Sequence, residues 1–129
     1  MPKIVCAEDD KLISASLQEG FSVAGFEVTI AEDGEAAVEK IKEIKPDIVL
    51  LDIMMPKLDG FGVVWELKAD PETASTPVVM LTNLSDPETL SKILEAGITD
   101  YMLKSEQTID QIISKVNEVL SRSPMPKPQ

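Results

Sequence analysis

Acidic side chains follow two apolar segments of this chain, at the points where those segments end. The run 48–51 leads into Asp52, and the run 4–7 leads into Glu8 and Asp9. Four consecutive apolar residues before an acid are typical of a strand that is buried on both faces. Open α/β folds bind ligands at the carboxyl edge of their parallel strands. If the two strands are neighbours, these three acids converge at that edge.

Two further polar side chains end apolar segments later in the chain: Thr82 follows 77–81, and Lys104 follows 99–103. Two unit charges about 4 Å apart repel by roughly 4 kcal/mol at an effective dielectric constant of 20, so Lys104 alone cannot neutralise the acids. A divalent cation would, and oxygen-only ligands favour Mg²⁺, or Mn²⁺, over zinc. A carboxylate beside such an ion, a lysine and a hydroxyl is suited to accept a phosphoryl group. Asp52 would then be the nucleophile and aspartyl phosphate the product.

Short apolar runs alternate with amphipathic segments five times, which predicts βα units and a parallel sheet. The predicted strands are 3–7, 27–31, 47–52, 77–82 and 99–103. The predicted helices are 11–24, 33–45, 59–69, 85–97 and 109–120. On the fourth of these helices, Leu90, Ile93 and Leu94 are expected to face the core. Right-handed crossovers would bring all five strand ends to one edge of the sheet.

Composition sets the class of protein. A chain of 129 residues fits one domain, predicted at 2–121, and the segment 122–129, with three prolines, is predicted to be a disordered tail. The chain is 43% hydrophobic and 27% charged, and no apolar run approaches the ~18 residues of a membrane span. A soluble protein without membrane insertion is expected, and a cytoplasmic location follows from the lack of a visible signal peptide. Cys6, the one cysteine, is expected to lie in the core.

The formal net charge of −11 argues against nucleic acid as a direct partner, because phosphate binding needs clustered Lys and Arg. The acidic excess either serves solubility or feeds a cation site made from Glu8, Asp9, Asp10 and Asp52. The chain contains no histidine, so any phosphohistidine must come from a partner.

Taken together, these motifs resemble those of the response-regulator receiver domain of two-component signalling. The resemblance spans roughly 2–121 and is carried by Glu8-Asp9, the segment 51–56, Asp59-Gly60, Leu81-Thr82, Ala96-Gly97, Tyr101 and Lys104. It implies a doubly wound (βα)5 fold with a five-stranded parallel sheet in the order 2-1-3-4-5, as in a chemotaxis member of the family.

The resemblance also implies roles for the acids. Asp52 would be the phosphoacceptor and would share Mg²⁺ with Asp9, a direct ligand, with Glu8, often through water, and with the backbone carbonyl of Met54. Asp10 is expected to cap the first helix and not to bind the metal.

By the same resemblance, Thr82 and Tyr101 are the switch residues. Their movement would change the surface of the fourth helix, fifth strand and fifth helix, which an unknown downstream protein would read. The phosphoryl donor would be a sensor histidine kinase or a histidine phosphotransfer protein. The domain would be a signalling switch and not an enzyme, since it promotes only its own phosphoryl transfer and dephosphorylation.

Two departures from the family pattern stand out. Ser105 follows Lys104 where the family usually has a proline in a cis peptide, and a cis bond without proline costs about 3 kcal/mol. Met54 and Leu84 are apolar at positions that help set phosphoryl lifetime in the family. We expect them to crowd the attacking water without orienting it, which predicts slow self-dephosphorylation.

Other classes fit less well. A flavin-binding module needs a hydroxyl- and glycine-rich loop after the first strand, where this chain has three acids and a lysine. A phosphatase that forms aspartyl phosphate usually has a second aspartate two residues after the nucleophile, where this chain has Met54. A nucleotide-hydrolysing enzyme needs a phosphate-binding loop, and the sequence contains none. The remaining alternative is a pseudo-receiver, an interaction module that keeps the fold and is never phosphorylated.

Overall fold

Five parallel strands alternate with five α-helices in a computed structural model that describes residues 1–83 and 86–122. The strands are β1 (Lys3–Ala7), β2 (Glu27–Ala31), β3 (Ile48–Asp52), β4 (Val78–Thr82) and β5 (Tyr101–Leu103). The helices are α1 (Lys11–Val23), α2 (Gly34–Ile44), α3 (Gly60–Ala69), α4 (Pro87–Glu95) and α5 (Ile109–Arg122). The sheet order is β2-β1-β3-β4-β5, which confirms the predicted fold class.

The predicted strand bounds agree with the structure to within two residues. Asp47 and Pro77 lie just outside β3 and β4, yet the Asp47 amide donates to the Lys3 carbonyl at 2.8 Å and the Pro77 carbonyl accepts from Val49 at 2.9 Å. β5 begins at Tyr101, two residues later than predicted. α5 extends to 122, the first residue of the predicted tail, and 123–129 lie outside the described residues.

Two apolar layers cover the sheet. α2, α3 and α4 pack on one face, where the core includes Val49, Leu51 and Met80. α1 and α5 pack on the other face, where it includes Cys6 and Leu50. β3 is buried at all five positions, as expected for a central parallel strand. Cys6 is fully buried, which confirms that it lies in the core as predicted. Burial raises the pKa of its thiol to about 12, and the nearby Glu8 charge adds to this.

The core-facing prediction for α4 is wrong at one position. Ile93 is buried and Leu90 packs against the core, but Leu94 is 62% exposed and Thr89 is the second buried residue of the helix. A helix of nine residues that rests on one face of the sheet can bury only a narrow stripe.

Aspartates cap four of the five α-helices, α1 to α4, at the edge of the sheet where the strands end. Asp10 accepts hydrogen bonds from the amides of Leu12 and Ile13, which confirms its predicted capping role. Asp33, Asp59 and Asp86 cap α2, α3 and α4 in the same way. Such caps each contribute about 1 kcal/mol and fix where each helix begins after its strand. In the described part of the chain, no helix has the length and apolar character needed to span a bilayer.

Candidate functional site

The polar residues that end β1, β3 and β5 meet in the structure. Lys104, directly after β5, places its Nζ 2.7 Å from Glu8 Oε1 and 3.1 Å from Asp52 Oδ2. Glu8 and Asp52 are only 2% and 6% exposed. The partly buried ammonium group of Lys104 therefore bridges two buried carboxylates that are distant in sequence.

A third carboxylate completes an acidic cluster. Glu8, Asp9 and Asp52 each offer an oxygen, and these three oxygens lie within 4.8 Å of one another. They border a cavity of about 360 Å³. Its other lining residues are Asp10, Ile13, Met54, Asn83 and Lys104. This all-oxygen donor set fits a hard divalent cation such as Mg²⁺.

Burial is the main influence on the charge of Glu8. Its Oε2 accepts the Asp10 amide at 3.0 Å. Its Oε1 is in ion-pair contact with Lys104 but lacks a well-directed hydrogen bond from the described residues. Burial raises the pKa of Glu8 above its ordinary value, despite the opposing effect of Lys104. Burial alone would lower the pKa of Lys104, but Glu8 and Asp52 raise it overall, so the lysine remains charged.

Gly60 explains the Asp59-Gly60 pair in the sequence. A Cβ at position 60 would lie 2.6 Å from the Asp52 carbonyl oxygen, so only glycine permits this approach of α3 to the end of β3. The Gly60 amide donates to the Ile53 carbonyl at 2.8 Å, and Asp59 caps the helix through the Gly62 amide. The start of α3 is thereby fixed against the backbone of Asp52.

Thr82 and Tyr101 lie on the same face of the sheet. Thr82, fully buried at the end of β4, is opposite Leu103, and Tyr101 is opposite Met80. Residues paired across parallel strands, and residues two apart along a strand, share a face. Tyr101 is 38% exposed, whereas Thr82 is fully buried.

The structure describes Ser105 and Met54, two of the three residues at which the sequence departs from the family pattern. The described residues contain no cis peptide, and Lys104–Glu106 form a single 3₁₀ turn in which Gln107 donates to the Lys104 carbonyl. Met54 is 65% exposed at the cavity. Leu84 lies outside the described residues.

Two residues that line the cavity were not predicted from the sequence. Asn83 and Ile13 line it beside the acids. Asn83 directly follows Thr82, so its position after a strand end was a usable signal. Ile13 belongs to the apolar spacing of α1, and nothing in that spacing distinguishes it from a core residue.

Comparison with known proteins agrees with this geometry. The family model for the response regulator receiver domain matches residues 4–117, and the chain belongs to that family. The chain is 34% identical to the receiver domain of Francisella response regulator 1452, with a TM-score of 0.85 and coverage of 95% of this chain and 98% of that one. A signal receiver domain of a histidine kinase from Syntrophus aciditrophicus gives a TM-score of 0.87 at 27% identity, covering 100% and 98% of the two chains.

Curated relatives are transcriptional regulators. The DNA-binding regulator RpaA of Synechocystis is 33% identical over 95% of this chain and 51% of its own length. The regulatory protein PrrA of Mycobacterium tuberculosis is 36% identical over 94% of this chain and 51% of its own. The chain therefore spans about half the length of these relatives. It is a receiver domain of two-component signalling, a signalling domain and not an enzyme of the ordinary kind.

Proposed function

We propose that this domain is a phosphoryl-accepting switch in which Asp52 takes a phosphoryl group from the phosphohistidine of a sensor histidine kinase or a histidine phosphotransfer protein. The observation that carries the proposal is the position of Lys104, which contacts both Asp52 and Glu8 at a cavity that Asp9 also borders. A lysine held between two buried acids is costly as a purely structural feature, because all three charges give up part of their hydration. As part of a site that receives a dianionic group, the same lysine has a function.

The transfer follows from the groups present. An Asp52 carboxylate oxygen attacks the phosphorus of the donor, the O–P bond forms as the P–N bond breaks, and the electron pair returns to the partner's imidazole. Lys104, which lines the cavity, would donate a hydrogen bond to one of the incoming phosphoryl oxygens, and the Thr82 hydroxyl would donate to another. Mg²⁺, held by Glu8, Asp9, Asp52 and the Met54 carbonyl, would neutralise charge on the transferred group.

The proposed output passes from Thr82 to Tyr101. A phosphoryl group on Asp52 would favour a position of the Thr82 hydroxyl near it, and Tyr101, on the same sheet face, would change rotamer in response. The surface of α4, β5 and α5 would then shift between two pre-existing states. A downstream protein that binds one of these states would read the signal. A charge of −11 gives this domain no electrostatic reason to bind nucleic acid itself.

The test is incubation with acetyl phosphate and Mg²⁺, followed by intact-mass measurement. We expect a gain of one phosphoryl group in the wild type and none in Asp52→Asn or without Mg²⁺. Asp10→Asn is the matched control, because asparagine caps a helix as well as aspartate does. No gain in the wild type with any small donor or kinase would contradict the proposal and favour the pseudo-receiver.

A further inference from the structure

The loop between Asp52 and α3 contains a strained turn. Lys57 has a φ of 71°, in the left-handed region that side chains other than glycine rarely adopt. The Leu58 amide donates to the Pro56 carbonyl at 2.8 Å across it, which closes a three-residue turn. A turn of this hand is rare and strained, and it persists only when neighbouring structure holds it.

The residues that hold this turn belong to the junction of β2 and α2. The Gly34 amide donates to the Pro56 carbonyl at 3.4 Å, and Lys57 Nζ lies 3.6 Å from Asp33 Oδ2. Gly34 also packs directly on the Leu58 carbonyl: a Cβ there would overlap its oxygen and lie 2.6 Å from its carbon. These three contacts all fall on the turn 56–58.

Gly62 packs against the Leu58 side chain, on the other side of the turn. A Cβ at position 62 would overlap the end of the Leu58 side chain and lie 2.8 Å from its Cγ. Leu58 is thus enclosed between Gly34 of α2 and Gly62 of α3. Its neighbour in sequence, Asp59, caps α3, and Gly60 is in contact with the Asp52 carbonyl.

We propose that Gly34 is a positioning residue for the phosphoryl-accepting site. Because Gly34 has no side chain, the start of α2 can pack directly on the turn 56–58. This contact fixes the loop that follows Asp52 and contains the Met54 carbonyl. The inference rests on the proposed function of Asp52. Gly34 is not near the acids in sequence and touches none of them in the contacts above. It acts on them through Leu58 and through the backbone of the loop.

The variant Gly34→Ala must displace the Leu58 carbonyl, and the loop with it. We expect the Mg²⁺ dissociation constant of the unphosphorylated protein to rise by about tenfold or more, as for other residues that support metal ligands indirectly. The rate of phosphorylation by acetyl phosphate at saturating Mg²⁺ should also fall, because misplacement by about 1 Å is costly to transfer. Isothermal titration calorimetry gives the first quantity, and intact-mass time courses give the second.

Gly25→Ala is the matched control. Gly25 has a φ of 97°, and no described atom beyond its chain neighbours would lie within 4 Å of a Cβ at this position. Alanine there therefore strains the backbone at the junction of α1 and β2 without a clash. It should lower stability and leave the Mg²⁺ dissociation constant unchanged. Equal effects of the two variants on Mg²⁺ binding would overturn the proposal, as would unchanged binding in a folded Gly34→Ala.

If Gly34→Ala does not fold, Gly62→Ala serves in its place, because alanine favours the helix it stands in. It should weaken Mg²⁺ binding, and the added change Leu58→Ala should restore it by removing the clash. Failure of Leu58→Ala to restore binding would overturn the proposal. Wild-type protein that binds Mg²⁺ but gains no phosphoryl group would instead contradict the proposed function and leave the positioning of the cation site open to this test.

Discussion

At the scale of single residues, the site is defined by charge that the fold does not fully compensate. Of the three clustered carboxylates, Glu8 and Asp52 pair with Lys104, whereas the most exposed, Asp9, has no ion pair with Lys104 within 4 Å in the described structure. A site with this imbalance is less stable than it could be, and that cost is typical of binding sites.

The variant Asp9→Asn should therefore stabilise the metal-free protein and weaken its binding of Mg²⁺. Removing one of three neighbouring charges should raise the free energy of unfolding in EDTA by about 1 kcal/mol, a value reduced for solvent screening. The Mg²⁺ dissociation constant should rise by about tenfold or more. Urea unfolding and calorimetric titration measure the two effects. A loss of stability in EDTA would contradict this account of the acidic cluster.

Under the proposed function, the phosphoryl lifetime is a second property that we expect single residues to set. With the apolar Met54 at the cavity and Leu84 two residues beyond Thr82, no polar group at these positions orients an attacking water. Met54→Asn together with Leu84→Glu should speed hydrolysis by about tenfold, because both new side chains can position the water. Decay of the phosphorylated mass after removal of the donor gives the rate. An unchanged rate would refute the crowding hypothesis.

At the scale of elements, α5 is attached to the start of β5 by ion pairs. Lys115 and Arg122 both reach Asp100 Oδ1, the former at 3.4 Å. Burial would raise the pKa of Asp100, but Arg122 and then Lys115 lower it overall. A carboxyl whose pKa is lowered by folding adds stability above its unfolded pKa, about 3.9, and loses that contribution as the pH falls through the folded value.

The variant Asp100→Asn should therefore cost about 1 kcal/mol of unfolding free energy at pH 7, because Arg122 is half exposed and its pair is screened. The difference from wild type should vanish well below a pH of about 3.9, where the wild-type carboxyl is also neutral. Urea unfolding at pH 7 and at the lowest pH where the protein stays folded tests this. Glu19→Gln on α1 is the control. It leaves the Asp100 ion pairs intact, so it should not reproduce the loss of unfolding free energy that Asp100→Asn shows at pH 7.

The proposed coupling of Thr82 on β4 to Tyr101 on β5 is testable because the chain has one tyrosine. Fluorotyrosine labelling places a single ¹⁹F probe at Tyr101. Phosphorylation of the wild type should shift this signal, whereas Thr82→Val should accept the phosphoryl group without the shift. A full shift in Thr82→Val would show that Tyr101 responds by a route that does not use the Thr82 hydroxyl.

At the scale of the whole molecule, the sheet order determines which residues can meet. Apolar runs and helix signals predicted every element to within a few residues, because a central parallel strand such as β3 has a nearly unbroken apolar sequence. The order of the strands came from the family resemblance, since alternation alone allows several orders. The clustering of Glu8, Asp52 and Lys104 followed from that order.

Features that depend on the close approach of two backbone segments could not be predicted from the sequence. The left-handed turn at Lys57 and the clamp at Gly34 depend on distances between backbones, and a glycine in sequence does not say what it touches. Leu94 has the helical spacing of a core residue, but the width of the surface that α4 covers decides its exposure. Asn83 faces the cavity because of where β4 ends.

The central claim is that Asp52 is the residue that carries the phosphoryl group. Borohydride reduces an acyl phosphate to an alcohol, so treatment of the protein after acetyl phosphate and Mg²⁺ should convert the modified aspartate to homoserine. Peptide mass spectrometry should then find homoserine at position 52 and at no other acid. Homoserine at Asp9, or the corresponding alcohol at Glu8, with an unmodified Asp52 would contradict the account.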